Sequence, residues 1–307
     1  MKSIKFIFLL ILVFSSSIII SQQNDNLWKR YTTISPDGTT IAFSYNADIY
    51  VVPIDGGKAI RLTTHSAYDA KPVWSHDGSK IAFSSNRNGN FDVYVMSSKG
   101  ENVKRLTFHS ADDWPSDFSQ NDDAVWFNSI RMDSQKSLLF HRLGELYSVS
   151  LDVNAPKQLL SIPAYEAKNR SNGDILFEEI KGYEDEWRKH HTSSVTRDIW
   201  IKKATGEYTK VSNFKGEDRN PVFGKGDSFY YLSEKSGTFN VYKSTFSNPD
   251  ETTQISNFTM HPVRYLSISN NSILCYSFNG QIYSQKSGEE PKLVNVNVGG
   301  DESILQN

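Results

Sequence analysis

One unit recurs along this chain, and its period decides what the chain can fold into. Ser35-Pro36-Asp37-Gly38-Thr39-Thr40-Ile41-Ala42-Phe43-Ser44 is answered forty residues later by Ser75-His76-Asp77-Gly78-Ser79-Lys80-Ile81-Ala82-Phe83-Ser84. Both copies continue alike, with Asp48-Ile49-Tyr50-Val51 against Asp92-Val93-Tyr94-Val95 and Arg61-Leu62-Thr63 against Arg105-Leu106-Thr107. Weaker copies are tracked by one aromatic each: Tyr50, Tyr94, Tyr147, Trp200, Tyr242 and Tyr283, at steps of 44, 53, 53, 42 and 41 residues. The two long steps imply insertions.

Segments such as Ile-Ala-Phe-Ser and Val-Tyr-Val-Met are short and rich in β-branched and aromatic residues, and Asp-Gly, Asn-Gly or Gly-Gly turns bound them. That is the hairpin signature. Each unit therefore reads as a four-stranded antiparallel meander with two apolar faces, which it can bury only between neighbours. Six units packed radially satisfy this, and a period near 40–45 residues with four strands belongs to propellers. The expected fold is all-β, a six-bladed β-propeller over 22–307, with blades at about 28–64, 70–108, 114–161, 164–213, 219–257 and 262–298. Blade one has its own first strand near Tyr31–Ser35 and blade six its own four strands from Val263 to about Val298. No strand-exchange latch is expected, so the ring should close by packing alone.

Residues 1–21 are a different material: Lys2 and Lys5 precede a nearly uncharged run from Phe6 to Ile20, and polarity returns at Ser21-Gln22-Gln23. This is a signal-peptide layout, with a retained anchor as its rival, and it implies a periplasmic or otherwise exported product. The single cysteine, Cys275, can form no disulfide within the chain and is expected to be a buried, inert thiol. Thirty-three basic residues stand against 35 acidic ones, interleaved along the chain, which argues against a nucleic-acid partner and for protein, peptide or small molecule.

The Ser-Pro-Asp-Gly unit with its Ile-Ala-Phe and Ile-Tyr strands resembles the propeller repeat of the TolB-type and tricorn-type families. The likeness to tricorn-like peptidases of bacteria extends further. It includes Trp28-Lys29-Arg30-Tyr31, the stretch Gly89 to Met96, the string from Gly182 to Trp200 and Gly216-Glu217-Asp218-Arg219-Asn220-Pro221. The resemblance implies a serine peptidase built from a six-bladed propeller, a second propeller and C-terminal catalytic domains. None of the family's catalytic positions maps onto these 307 residues. What carries over is a noncatalytic role in peptide access or exit, with the missing peptidase domains as partners and a homo-oligomer as the implied assembly. A free TolB-type protein-binding module is the alternative.

A search for chemistry agrees with that reading. Gly226-Asp227-Ser228-Phe229-Tyr230 lacks the last glycine of a nucleophile elbow, and Ser-x-Asp-Gly reads as a tight turn rather than a sialidase Asp box. No cofactor and no metal site are expected. His65 and His109 sit at equivalent places on inter-blade connections, with His261 in a similar one. Asp69, Asp112 and Asp218 each precede a proline, Pro72, Pro115 or Pro221, by three residues. These carboxylates either ring the channel mouth, ready for cationic peptide termini or metal, or cap backbone amides. Trp74, Trp114 and Trp126 are expected in the core between blades. The blade-four insertion, with Glu184, Trp187, Arg188, His190 and His191, is the candidate partner contact, since inserted loops on a rigid scaffold carry binding.

Overall fold

The repeats fold as meanders because their apolar residues fall on both faces of short strands and their turns carry the residues that turns demand. In the computed structural model, which describes residues 27–131, 143–182 and 192–299, all described regular structure is strand. The first sheet pairs β1 (Arg30–Ile34), β2 (Thr40–Tyr45) and β3 (Asp48–Pro53). The two-residue β4 (Gly57–Lys58) stands apart, and β5 (Ile60–Arg61) completes the four. The second follows as β6 (Asp69–Trp74), β7 (Lys80–Ser85), β8 (Asp92–Ser97) and β9 (Lys104–Arg105).

Next come β10 (Asp113–Phe118), β11 (Ala124–Ser129), β12 (Glu145–Ser150), β13 (Lys157–Asn169), β14 (Ile175–Glu179), β15 (Asp198–Lys202) and β16 (Tyr208–Lys210) in one seven-stranded sheet. It is continuous because β13 pairs with β12 through Lys157–Pro163 and with β14 through Ala164–Asn169. The sequence reading breaks the chain between 161 and 164. The strand runs through because Ile162-Pro163-Ala164 offers no turn-forming Gly, Asn or Asp, and proline tolerates extended backbone. Two four-stranded sheets complete the molecule. One is β17 (Asp218–Phe223), β18 (Ser228–Ser233), β19 (Asn240–Thr245) and β20 (Thr253–Gln254); the other is β21 (Val263–Ile268), β22 (Ile273–Phe278), β23 (Gln281–Lys286) and β24 (Lys292–Val294).

The Ser-x-Asp-Gly turns behave as their chemistry requires. Ser35 donates to Asp37 at 2.5 Å and Asp37 accepts the Thr39 backbone N–H at 3.0 Å; Ser75, Asp77 and Ser79 repeat both bonds. Gly38 and Gly78 follow at φ 76° and 72°, a left-handed step that glycine takes without a Cβ penalty. The Ser35 hydroxyl and the Thr39 amide hold the Asp37 carboxyl below its ordinary range.

Cores lie between sheets. Ile34, Phe43 and Tyr50 of the first sheet share one cluster with Ile273, Cys275 and Ile282 of the last. Cys275 is fully buried on β22, and burial pushes its thiol up to about 12, which makes it as inert as expected. The first strand of each unit packs on the next: β1 on β6, β6 on β10, β10 on β13, β13 on β17, β17 on β21, and β21 back on β1.

That return is not made by packing alone, and here the expectation needs correction. The segment β25 (Val296–Asn297) pairs in parallel with β4, and the Gly57 and Ala59 amides donate to the Asn295 and Asn297 carbonyls at 2.8 Å each. The Lys29 amide also donates to the Gly280 carbonyl at 3.2 Å. The physical reason is the Asp55-Gly56-Gly57 run. With φ of 88° and 113° at its glycines, it turns backbone donors outward, where the far end of the chain meets them.

Candidate functional site

The six inward strands share one irregularity. In β6, Ala70 faces Ser84 and Val73 faces Ala82, so β6 carries one residue more than β7. The same bulge recurs in β1, β10, β13, β17 and β21. A bulge re-aims the side chain at the extra residue. Those residues are Tyr31, Lys71, Glu166, Asn220 and Tyr265, all left-handed at φ between 47° and 58°. In β10 the equivalent residue is Pro115, whose ring forbids positive φ.

These bulges surround a cavity of about 360 Å³ lined from all six strands. Within it Lys71 Nζ lies 2.6 Å from Glu166 Oε1, and Tyr31 packs against Tyr265 in a tilted pair, with centroids 4.8 Å apart and planes at 47°. The residue just before the bulge divides the wall into two halves. On β17, β21 and β1 it is Arg219, Arg264 and Arg30; on β10 and β13 it is Trp114 and Tyr165, and all five line the cavity. Lys168 donates to the Ser116 carbonyl, and Arg197 pairs with Glu178 at 2.8 Å and Glu217 at 3.3 Å.

The wall carries more cations than carboxylates. Lys71, Lys168, Arg197 and the three arginines of the cationic half give six cations, against Glu166 and Glu178 in the lining and Glu217 just behind it, which pairs with Arg219 at 2.8 Å and with Arg197 at 3.3 Å. Burial alone would raise Glu166, but Lys71 and Lys168 outweigh it and hold the carboxyl below its ordinary range. At Glu178, deeper in the wall, burial wins over Arg197 and the carboxyl is raised.

A second crevice of about 400 Å³ shares Arg30, Arg264 and Tyr265 with the first. It is lined by Leu27, Trp28, His261 and Pro262, among others. Trp28 is 65% exposed beside it, with the Arg30 guanidinium 5.6 Å from its ring centroid. The two cavities meet at the arginines.

The sequence-derived candidates fall elsewhere. His65 and His109 accept the Ala67 and Ala111 backbone N–H at 3.0 Å each through Nδ1, and neither lines the axial cavity. Asp69 is fully buried and held by Arg87 at 2.6 Å. Asp218 is equally buried; neither of its oxygens meets a donor at full hydrogen-bond geometry, although Ser233, Lys235 and Ser212 are near enough to draw on it. Burial nonetheless pushes it up to about 7. Asp112 is exposed, accepting the Phe91 N–H at 2.9 Å.

The true counterpart of Asp69 is Asp113, which faces Ser129 as Asp69 faces Ser85 and lies buried against Arg131. Counting back from proline misplaces it by one residue, because Pro115 stands at the bulge position itself while Pro72 and Pro221 follow it. Trp74 and Trp126 join the clusters between sheets as expected, whereas Trp114 lines the cavity and packs at a tilt on Phe91 with ring centroids 4.5 Å apart. Glu184, Trp187, Arg188, His190 and His191 lie outside the described residues. Among the described residues no cluster of three His, Cys, Asp or Glu is placed to hold a metal ion.

The bulge positions escape sequence reading because Tyr31, Lys71, Pro115, Glu166, Asn220 and Tyr265 share no chemistry. Their one signal is position: Lys71, Pro115, Asn220 and Tyr265 each stand two residues after the start of β6, β10, β17 and β21.

Comparison with known proteins bears on the fold directly. Residues 26–291 match the model of the tricorn protease N-terminal beta propeller domain. Tricorn protease homolog 1 of Streptomyces coelicolor (strain ATCC BAA-471 / A3(2) / M145) is 24% identical over 276 residues, 88% of this chain and 25% of that protein. The crystal structure of the tricorn protease superposes with a TM-score of 0.75 at 19% identity, covering 87% of this chain and 26% of that one. TolB from Acinetobacter baumannii follows with a TM-score of 0.56 at 14% identity, over 86% of this chain and 64% of its own. The chain thus spans about a quarter of the length of its tricorn relatives.

Proposed function

The chain belongs to the tricorn protease N-terminal β-propeller family, and from that membership we propose that it is a noncatalytic propeller domain through which peptide enters or leaves a peptidase. We read the seven-stranded sheet as two four-stranded blades joined end to end through β13, which gives six blades. The observation that carries the functional reading is the axial cavity. Every inward strand contributes to it, and the bulge residues turn polar and aromatic side chains into it, where a core would hold aliphatic ones.

The supporting role in assembly falls to the face that bears the inter-sheet connections. Trp28, Phe108 and Met260 are exposed there, at 65%, 57% and 74%. Large apolar side chains left open on connections are where a partner would dock. The same face would serve a stand-alone TolB-type module, whose repeat this chain shares. Export rests on the charged-then-apolar layout of residues 1–21.

Photo-cross-linking of the full chain to a mixed peptide pool tests the reading. Adducts mapped to Tyr31, Trp114, Tyr165 or Tyr265 are expected, without hydrolysis of the pool. Adducts confined to the outer rim would refute passage through the axis.

A further inference from the structure

We propose that the axial cavity and the crevice opening into it form a binding site for an acidic peptide segment. The inference rests on the reading of the cavity as a peptide site and adds the class of peptide. Its basis is the sign and placement of charge. Six cations face two carboxylates in the axial wall and a third, Glu217, behind Arg219 and Arg197, an excess of three positive charges although the chain as a whole carries a net charge of −2. A cavity of one sign with low-dielectric walls concentrates ligands of the other.

The placement narrows the ligand further. Arg219, Arg264 and Arg30 come from successive inward strands at one register, on one side of the axis, with Arg219 buried and its Nε–H committed to Glu217 at 2.8 Å. Arg30 and Arg264 also belong to the crevice that holds Trp28 and Pro262. A guanidinium offers a planar fork that fits a carboxylate. An apolar side chain next to an acidic one would lie against Trp28 and Pro262 while its neighbour reached the arginines. The far wall, Trp114 and Tyr165, suits the apolar stems between carboxylates.

The chain supplies an internal likeness of this ligand. Glu166 projects from its bulge into the cavity and meets Lys71 at 2.6 Å, with a quarter of its side chain (24%) still open. A carboxylate on a peptide would occupy the same field beside it. A carboxylate ring of Asp69, Asp112 and Asp218, one of the two readings open for them in the sequence, would have selected cations; none of the three lines the cavity, and the wall found there favours anions.

The test is fluorescence anisotropy on the full chain with three labelled peptides, hexaglutamate, hexaglutamine and hexalysine, each flanked by one leucine. Hexaglutamate should bind about tenfold tighter than hexaglutamine, with an affinity that falls as salt rises, and hexalysine should bind weakest of the three. Glu166→Gln removes a competing negative charge and should tighten hexaglutamate binding about fivefold, a gain that misfolding cannot produce. Arg264→Glu should weaken it by about tenfold or more. Equal affinities for hexaglutamate and hexaglutamine, or weaker hexaglutamate binding in Glu166→Gln, would overturn the proposal. If hexaglutamine cross-links at Tyr265 as well as hexaglutamate does, peptide passage stands and the acidic preference falls. Adducts of both peptides outside the axis would sink the two together.

Discussion

Lys71 Nζ reaches Glu166 Oε1 at 2.6 Å from a strand that is not its neighbour, since β10 stands between β6 and β13. Both residues hold left-handed backbone, at φ 55° and 47°, and both occupy the bulge of their strand. The pair thus links two repeats that share no hydrogen-bonded edge, across space that three other bulge side chains also enter. Its side chains are 13% and 24% exposed, so it is neither a dry ion pair nor a surface one.

Breaking that pair should cost stability, and the cost should be mutual. Lys71→Met leaves Glu166 without its partner, and Glu166→Gln leaves Lys71 likewise. Each is expected to lose about 1–2 kcal/mol, below the value for a fully buried pair because both side chains stay partly exposed. The double variant should lose less than the sum, with a coupling of about 1 kcal/mol in urea denaturation. Strict additivity would mean that the contact carries no energy.

Asp113 and Asp112 differ by one position and should differ sharply in consequence. Asp113 is buried against Arg131, so Asp113→Asn strands a guanidinium in the wall of a sheet and should cost about 3 kcal/mol. Asp112 is exposed and accepts one amide, which an asparagine oxygen can also do, so Asp112→Asn should stay within about 0.5 kcal/mol. Thermal melts of the two variants separate the register seen in the structure from one counted back from proline.

Asp218 should make stability fall as pH rises. Its carboxyl is pushed up to about 7 by burial, from an ordinary value of 3.8. Between these values the unfolded chain releases a proton that the folded chain keeps, so the folded state binds more protons and loses stability with each step upward. The loss begins near pH 4 and is complete above pH 7, at roughly 4 kcal/mol if Asp218 acted alone. Asp218→Asn removes it. The variant's stability relative to the parent should improve steadily from pH 4.5 to 7.5, and a difference that does not change with pH would refute the assignment.

The strands of this molecule were legible because a short strand buried on both faces writes a compact apolar run, bounded by its turns, into the local sequence. Ser35 to Ser44 announces a turn and a strand without help from anything distant. The axis was not legible, because the bulge asks only for a backbone conformation. Tyrosine, lysine, glutamate and asparagine can all adopt it, so no common residue marks the column. Proline misled for the same reason: Pro115 sits at the bulge and Pro72 one residue past it, a difference visible only from strand pairing. The closure was hidden more deeply still, since β25 and β4 meet through backbone groups over two residues each.

That closure can be tested with two glycines of like conformation and unlike surroundings. Gly56 and Gly206 hold φ of 88° and 94°, so alanine is strained at both by a comparable amount, about 1 kcal/mol. Their neighbourhoods decide the remainder. A Cβ on Gly56 would lie 2.5 Å from the Asn295 carbonyl oxygen, a backbone atom that cannot swing aside, whereas a Cβ on Gly206 meets nothing within 4 Å. Gly56→Ala must therefore push the 295–297 segment away and lengthen the Gly57 and Ala59 bonds to it. The expected result is a Tm for Gly56→Ala several degrees below that of Gly206→Ala, with faster amide exchange at Gly57 and Ala59 in the first variant alone. Equal melting temperatures would show that the two chain ends are held together by the packing of β1 on β21, and that the parallel pairing adds nothing to it.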